Sequence, residues 1–318
     1  MHQTSSLLNA DTLLNSYDRE DLFMDELDDS CFESNTLNVP PMLEELMLNL
    51  LTRQDSLNKE FLGEDWRSKS KDHSSIDYCA ALLEEAVELL NCNKVWKFWK
   101  TPDAPDLENM KLEFVDLLHF AMSEAMASNP EAPLESIASD MAFWYMEAYR
   151  IKSTTSTPEY PTEEELLPKP TGHDFVLMKK SLLAYLSEAF AVHQEFVGGD
   201  SCEENPDSED FAPPPPTDWQ SFWKVAYWIG LGLSEVAAIY QGKAQLNSFR
   251  VSKSDKQGLY DPKWFYSDEV EAVEDNKLLM EFIAETVQKE KGILTTERIG
   301  AWLEEAYAKH LRLKAASF

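Results

Sequence analysis

Glycine is scarce in this 318-residue chain, which has 10 glycines where an average protein has a share of roughly 7 %. The β-branched aliphatic residues are few as well, because 13 Val and 8 Ile stand against 39 Leu. Leucine keeps its rotamers in a helix, whereas Val and Ile lose theirs, so this balance disfavours sheets. The composition therefore predicts a mainly helical protein.

Positive charge is also in short supply, since 28 Lys and Arg face 58 Asp and Glu and leave a net charge of −30. A general nucleic-acid partner is excluded on this ground, because phosphate contacts need concentrated Lys and Arg. A small phosphate ligand is still allowed, since divalent cations can lie between carboxylates and phosphates.

Cysteine patterns and long apolar runs are missing. The four cysteines are widely spaced, form no CxxC pair and build no dense disulfide framework, which favours a reducing compartment. No run approaches about 18 apolar residues, so no membrane partner is expected. The start of the chain lacks the basic region of a secretory signal and the Arg richness of a transit peptide. We expect a soluble, cytoplasmic protein.

The chain does contain enough apolar residues for a large core, with 43 % hydrophobic residues that include 9 Trp and 16 Phe. Residues 1–40 carry nine acids and one base, which predicts a flexible acidic arm. One helical domain is expected over 41–318. A Pro-rich acidic insertion near 198–218 interrupts it, because four consecutive prolines cannot be helical.

Apolar residues recur at helical spacing through most of this domain, and no period-2 strand pattern of useful length is present. The fold class is thus predicted as all-α, a multi-helix bundle. The stretch 243–263 is expected to be a basic, Gly-punctuated loop. Helices are expected over about 42–61, 76–93, 106–128, 133–152, 174–196, 219–242, 268–289 and 295–313.

Two carboxylate pairs are the sharpest chemical feature. Glu85 and Glu88 stand at i, i+3 on the second helix, and Glu113 and Asp116 repeat the spacing on the third. Each pair shares a helix face at the border of an apolar stripe. Two facing helices could bring four carboxylates into one volume, which requires cations such as Mg²⁺, with Mn²⁺ as the alternative. The alternative to a metal site is that each pair simply lies on a solvent-exposed helix face.

Further features are compatible with a nucleotide ligand. Residues 96–100 alternate aromatics with Lys and could stack a base, although taken alone the motif is more typical of a helix end whose aromatics fill the core. His119 follows Asp116 by three residues and is interpreted as a hydrogen-bonded structural histidine. The stretch 243–263 gathers four Lys and one Arg, which suits a triphosphate or merely balances the acidic surface. No nucleophile elbow or phosphate-loop motif is present, which favours metal and water over a covalent mechanism.

The ordered set of motifs resembles the dimeric all-α dUTP diphosphatases (dUTPases), within the MazG-like all-α NTP pyrophosphatase superfamily. The resemblance runs from about residue 42 to 279, about three quarters of the chain. The motifs that carry it are Gln54 to Asn58 followed by Trp66, Glu85 to Glu88 with Trp96 to Lys100, Glu113 to Phe120, Gly242 to Arg250, and Glu274-Asp275-Asn276.

The resemblance implies a fold, a reaction and a set of site residues. It implies Mg²⁺-dependent hydrolysis of dUTP, and of dUDP, to dUMP by attack of a metal-bound water on the α-phosphorus, with Glu85 as the base. It also implies a homodimer. The metal ligands would be Glu85, Glu88, Glu113 and Asp116, and the substrate residues would be Gln54, Asn58, Trp99, Phe120, Lys243, Asn247, Arg250, Lys256 and Lys263.

One departure from the family pattern leaves the base preference open. Ser254-Asp255 stands where the family has Gly-Tyr, which removes an aromatic sugar contact and adds a negative charge. A pyrophosphatase for another deoxynucleotide such as dCTP is therefore one alternative. A non-catalytic nucleotide-binding protein that uses the acidic segments for partners is the other.

Overall fold

The computed structural model describes residues 39, 41–71, 78–94, 104–150, 167–197, 217–253, 260–266, 271–289 and 294–316. Almost all of the predicted acidic arm, and residues 198–216 of the predicted insertion, lie outside these ranges. Within them the chain is helical apart from one two-stranded ladder, which confirms the all-α prediction. Its contacts group it into two compact units, Asp28–Gly232 and a second from Leu233 on.

The first unit contains seven helices among its described residues, and five of them follow predicted amphipathic segments to within a few residues. The bounds are α1 Pro41–Leu62, α2 Trp66–Lys71, α3 Tyr78–Asn93, α4 Leu107–Ser128, α5 Leu134–Arg150, α6 Gly172–Val197 and α7 Trp219–Trp228. Helix α4 is the most buried of them, and helices α1, α2, α3, α5 and α7 all pack against it.

Helices α4 and α7 each begin at an aspartate that caps the first turn. The Asp106 carboxylate accepts a hydrogen bond from the Asn109 amide, at 3.1 Å, and caps α4. Asp218 caps α7 through the Ser221 amide in the same way, at 3.0 Å. Such caps satisfy backbone N–H groups that have no partner inside the helix. The Asp106 cap therefore helps to determine the residue at which α4, the helix that carries Glu113 and Asp116, begins.

Aromatic side chains fill the core of the first unit. Phe114 of α4 packs on Phe222 of α7 with ring centroids 4.9 Å apart. The Trp223 indole donates to the Met141 carbonyl at 3.1 Å, and the Tyr149 hydroxyl donates to the Leu231 carbonyl at 2.6 Å. These buried polar tips are satisfied by backbone carbonyls, so the aromatic core carries little unpaired polarity at these positions.

The second unit packs three α-helices around a smaller core in the part that the structure describes. Its elements are α8 Leu233–Ser252, β1 Lys263–Trp264, β2 Val273–Glu274, α9 Asp275–Ala284, a π-helical turn Glu285–Lys289, and α10 Thr296–Ala316. The strands pair antiparallel, with Lys263 opposite Glu274. Gly242 lets α8 approach α9 closely, because a Cβ there would lie 2.8 Å from the Ile283 Cδ1 atom.

Three local predictions are wrong. The helix expected over 268–289 begins only at Asp275, because Val273 and Glu274 form β2.

The expected continuous helix over 219–242 is two helices, because α7 ends in a Schellman motif. The Leu231 amide donates to the Ala226 carbonyl and the Gly230 amide to the Tyr227 carbonyl, both at 3.0 Å, with Gly230 at φ +72°.

The expected basic loop is helical over its first ten residues, since α8 continues to Ser252. Leu246 and Phe249 lie at i, i+3 and are buried in the core of the second unit. Burial of this apolar pair favours helix over loop, and no Gly or Pro interrupts the segment.

Candidate active site

A cluster of three carboxylates lies between α3 and α4, which pack side by side. Glu85 of α3 and Glu113 and Asp116 of α4 place oxygen atoms within 4.8 Å of one another. Glu113 is buried, and the other two side chains are half-buried. Like charges this close repel strongly in a partly desolvated setting, and a divalent cation would relieve that repulsion. The donor set is all oxygen, which suits Mg²⁺ or Mn²⁺.

The fourth predicted ligand, Glu88, is not part of this cluster. It lies on α3 one turn beyond Glu85 and is exposed. Glu84, on the same helix, is exposed as well. The structure thus brings three of the four predicted carboxylates together.

A hydrogen-bond bridge next to the cluster joins the two helices. The Asn109 side-chain amide donates to Glu113 Oε1 at 3.0 Å and to Cys92 Sγ at 3.1 Å. The Cys92 thiol in turn donates to the Glu88 carbonyl at 3.3 Å. Burial raises the pKa of Cys92 to about 11, and the nearby charges of Glu113, Asp106 and Glu88 act in the same direction. Cys92 is therefore a neutral thiol that helps to orient the amide of Asn109.

A second buried network joins α1 to α4 and contains both amides predicted to read a base. The Gln54 amide nitrogen donates to Asn58 Oδ1 at 2.9 Å and to Ser123 Oγ at 3.0 Å. The Asn58 amide nitrogen donates to Ser123 Oγ at 2.9 Å. Gln54 Oε1 lies 2.6 Å from His119 Nδ1, and the Ser123 hydroxyl donates to the His119 carbonyl at 2.8 Å. All four residues are buried.

Asp55, between the two amides in sequence, holds α2 against α1. Its carboxylate pairs with Lys59 at 2.7 Å and with Arg67 at 2.8 Å, and it accepts from the Trp66 indole at 3.1 Å. Burial on its own would raise the pKa of Asp55, but these three donors outweigh it and the pKa is lowered. The first sequence motif therefore has a structural part, Asp55 with Trp66, beside the amide pair.

Three of the predicted sugar- and phosphate-binding residues lie on one helix of the second unit. Lys243, Asn247 and Arg250 recur at i, i+4 and i+7 along one face of α8. Arg250 makes a bidentate pair with the buried Asp275, at 3.0 and 2.7 Å. Lys243 and Arg250 both donate to Asn276 Oδ1, each at 3.0 Å.

Other predicted site residues are placed differently or fall outside the structure. Phe120 is half-buried on α4, one turn after Asp116. Lys263 is exposed on β1. Trp99 and Lys256 lie outside the described residues, as does Ser254-Asp255.

Two residues in these networks were missed by sequence reasoning, Ser123 and Asn109. Ser123 lies seven residues after Asp116 and Asn109 four before Glu113, so helical periodicity places both near the carboxylate face of α4. That periodicity was the available signal. A polar residue at such spacing on an apolar helix is a candidate network member.

These features describe an all-α protein in which helix α4 contributes both to a carboxylate cluster that could hold a metal ion and to a buried amide network. Residues 46–167 match the family model described as dUTPase. This match confirms the predicted family, so the region that carries the cluster and the network is a domain of the dUTPase family. A search of the curated proteins found no match to the chain. No helix in the described part of the chain is long and apolar enough to cross a membrane.

Proposed function

We propose that this protein is a dUTP diphosphatase, which hydrolyses dUTP, and also dUDP, to dUMP with Mg²⁺ as the metal. The observation that carries the proposal is helix α4, which contributes both to the carboxylate cluster and to the amide network. Both features lie within the residues that match the dUTPase family. A phosphate-binding centre and a base-reading centre on one rigid helix are what a nucleotide hydrolase needs.

The spacing along α4 supports this assignment. Asp116 and Ser123 are two helical turns apart, which is about 10 Å of rise. Phe120 lies between them, one turn from Asp116. A nucleotide has the same order of parts, with phosphate at one end, sugar in the middle and base at the other. We place the α-phosphate at the cluster, the deoxyribose at Phe120 and the base at Asn58.

Glu85, Glu113 and Asp116 would hold the metal, with Glu88 as a further carboxylate from α3. Mg²⁺ or Mn²⁺ would neutralise these groups and act as a Lewis acid toward the phosphate oxygens. Glu85 is half-buried and would accept the proton of the attacking water. The reaction breaks the bond between the α-phosphorus and the bridging oxygen and releases pyrophosphate from dUTP.

Residues outside this cluster complete the proposal. Trp99 would border the base, and the amide of Gln54 would read the uracil edge together with that of Asn58. Lys243, Asn247, Arg250, Lys256 and Lys263 would bind sugar and phosphates through charge and hydrogen bonds. We also propose that the protein acts as a homodimer in the cytoplasm.

The test is pyrophosphate release from a panel of dATP, dCTP, dGTP, dTTP, dUTP and UTP, with Mg²⁺ and with EDTA. We expect metal-dependent turnover confined to dUTP. Glu85→Gln and Asp116→Asn each remove a metal-binding charge and should lower kcat by at least about 100-fold. Glu84→Gln, an exposed position on the same helix, should leave turnover unchanged.

Turnover within a few-fold of wild type in both cluster variants would exclude the metal assignment. Turnover of a different deoxynucleotide would keep the cluster chemistry and overturn the uracil assignment. Nucleotide binding without any turnover would favour the alternative of a non-catalytic binding protein.

A further inference from the structure

The polarity of the buried amide network is set by one backbone carbonyl. The Ser123 hydroxyl donates to the His119 carbonyl at 2.8 Å, one turn back along α4. A carbonyl can only accept, so the single hydroxyl hydrogen of Ser123 is committed to this bond. Only lone pairs then remain on Ser123 Oγ for its other neighbours.

Both amides must consequently turn their NH₂ groups toward Ser123. Gln54 and Asn58 donate to Ser123 Oγ at 3.0 and 2.9 Å. The carbonyl oxygen of Gln54 is thereby directed to His119 Nδ1, 2.6 Å away. Because that oxygen cannot donate, Nδ1 of the His119 ring carries a hydrogen. The hydrogen bonds among these four residues therefore each have one defined direction.

Asn58 lies at the end of this chain of hydrogen bonds. Its Oδ1 accepts one hydrogen bond from Gln54, and its Nδ2 donates one to Ser123. An amide oxygen has two lone pairs and an amide nitrogen two hydrogens. One acceptor position and one donor position of Asn58 thus lie beyond these bonds, in an orientation that its neighbours fix.

We propose that Ser123 is a positioning residue that fixes the orientation of the Asn58 amide and thereby lets the site distinguish uracil from cytosine. This inference rests on the proposed function, because it assumes that Asn58 contacts the base. His119 contributes from the other end of the network by holding the oxygen of Gln54.

The chemistry of the two bases makes amide orientation decisive. Uracil presents an acceptor at O4 beside a donor at N3–H, whereas cytosine presents a donor at the 4-amino group beside an acceptor at N3. An amide that matches one base in a given pose must rotate by 180° to match the other. A freely rotating amide would accept both bases, and a fixed amide accepts one.

Rotation of Asn58 is costly in this network. It would bring Asn58 Oδ1 against the lone pairs of Ser123 and the Asn58 NH₂ against the NH₂ of Gln54. Both groups are buried, at 6 % exposure for Asn58 and 3 % for Gln54. Buried donors and acceptors that lose their partners pay the full desolvation penalty, so the reversed orientation is disfavoured.

The experiment compares kcat/KM for dUTP and dCTP in wild type and in Ser123→Ala. Loss of the hydroxyl removes one of the two contacts that oppose rotation of Asn58, so the dUTP-to-dCTP ratio should fall by about ten-fold. Ser123→Thr retains a hydroxyl at this position and should restore much of the ratio. Ser139→Ala is the matched control, because it also removes a serine hydroxyl that bonds a side chain of α1, Glu44, at 2.9 Å.

Ser123→Cys carries the same test should the alanine variant fail to fold, since a thiol fills the space and accepts hydrogen bonds weakly. If Ser123→Ala lost activity equally toward both nucleotides, with the ratio unchanged, the inference would be overturned. The proposed function, dUTP hydrolysis by the wild-type protein, would still stand. Wild type that prefers dCTP, with the preference lost in Ser123→Ala, would support the fixed amide and overturn the uracil assignment. Wild type without turnover of either nucleotide would overturn the proposed function and this inference together.

Discussion

Asn109 illustrates how a single side chain can tune a carboxylate cluster without belonging to it. Its amide donates to Glu113 Oε1 at 3.0 Å and also contacts Cys92 on the neighbouring helix. Glu113 is buried, so one of its oxygens is held by a neutral donor while the other can be directed toward a metal. Partners of this kind orient metal ligands, and their loss commonly weakens metal affinity by 10–100-fold.

Asn109→Ala should therefore weaken binding of Mn²⁺ or Mg²⁺ by about ten-fold. The physical reason is that Glu113 loses the donor that holds its orientation and partly offsets its charge. Calorimetric titration of the protein with each metal measures this without nucleotide. Asn129→Ala, at an exposed position after the other end of α4, is the control. Equal metal affinity in the two variants would argue against a role for Asn109 at the cluster.

The break between α7 and α8 shows how an element boundary depends on a single residue. Gly230 adopts φ +72°, a conformation that costs an L-residue roughly 1–2 kcal/mol. A Cβ at this position would also lie 2.8 Å from the Pro168 carbonyl oxygen. That oxygen belongs to the backbone, so it cannot swing aside as a side-chain end would.

Gly230→Ala should lower the free energy of unfolding by about 2 kcal/mol or more, which corresponds to a fall in Tm of about 4–8 °C. Thermal and urea unfolding measure the change. Gly172→Ala tests the opposite case at the start of α6, where a Cβ meets nothing within 4 Å. If both variants unfolded at the same temperature as wild type, the left-handed turn would not limit stability.

At the scale of the whole molecule, stability should depend on pH through a buried histidine of the second unit. His310 lies on α10, and its Nδ1 accepts a hydrogen bond from the Phe265 amide at 3.0 Å. Its ring stacks on Phe265, with centroids 5.9 Å apart. Burial lowers the pKa of His310 below its ordinary value of 6.5, and nearby Lys314 adds to this while Asp261 opposes it.

The direction of the pH effect follows from proton binding. Around and below pH 6.5 the unfolded chain binds a proton at this position more readily than the folded protein does, so acid favours unfolding. We expect the free energy of unfolding to fall between pH 7 and pH 5 and this slope to flatten in His310→Gln. His173→Gln, at an exposed position, should keep the wild-type slope. Urea unfolding of the wild type and both variants across this pH range measures the three slopes. An unchanged slope in His310→Gln would contradict the expectation.

Much of the fold could be predicted because it follows from local spacing. Helical periodicity of apolar residues located most of the helices in the described ranges to within a few residues. The i, i+3 spacing of Glu113 and Asp116 placed them on one face of α4, and the facing pair on α3 supplied Glu85 to the same cluster. The order of the motifs predicts the dUTPase family, and the family model matches this chain over residues 46–167.

The tertiary structure determines which residues each helix face contacts. The i, i+3 spacing predicts that Glu85 and Glu88 are both metal ligands on one face of α3. Packing of α3 on α4 brings only Glu85 into the cluster. The basic residues and the nearby glycines predict a loop from Lys243 on, whereas burial of Leu246 and Phe249 in the core makes this segment helical as far as Ser252. The sequence does not single out Ser123 or Asn109, since some of their partners, among them Asn58 on α1 and Cys92 on α3, lie on other helices. Periodicity determines which residues share a face, whereas the partner of that face depends on contacts between distant segments, which only the packed chain establishes.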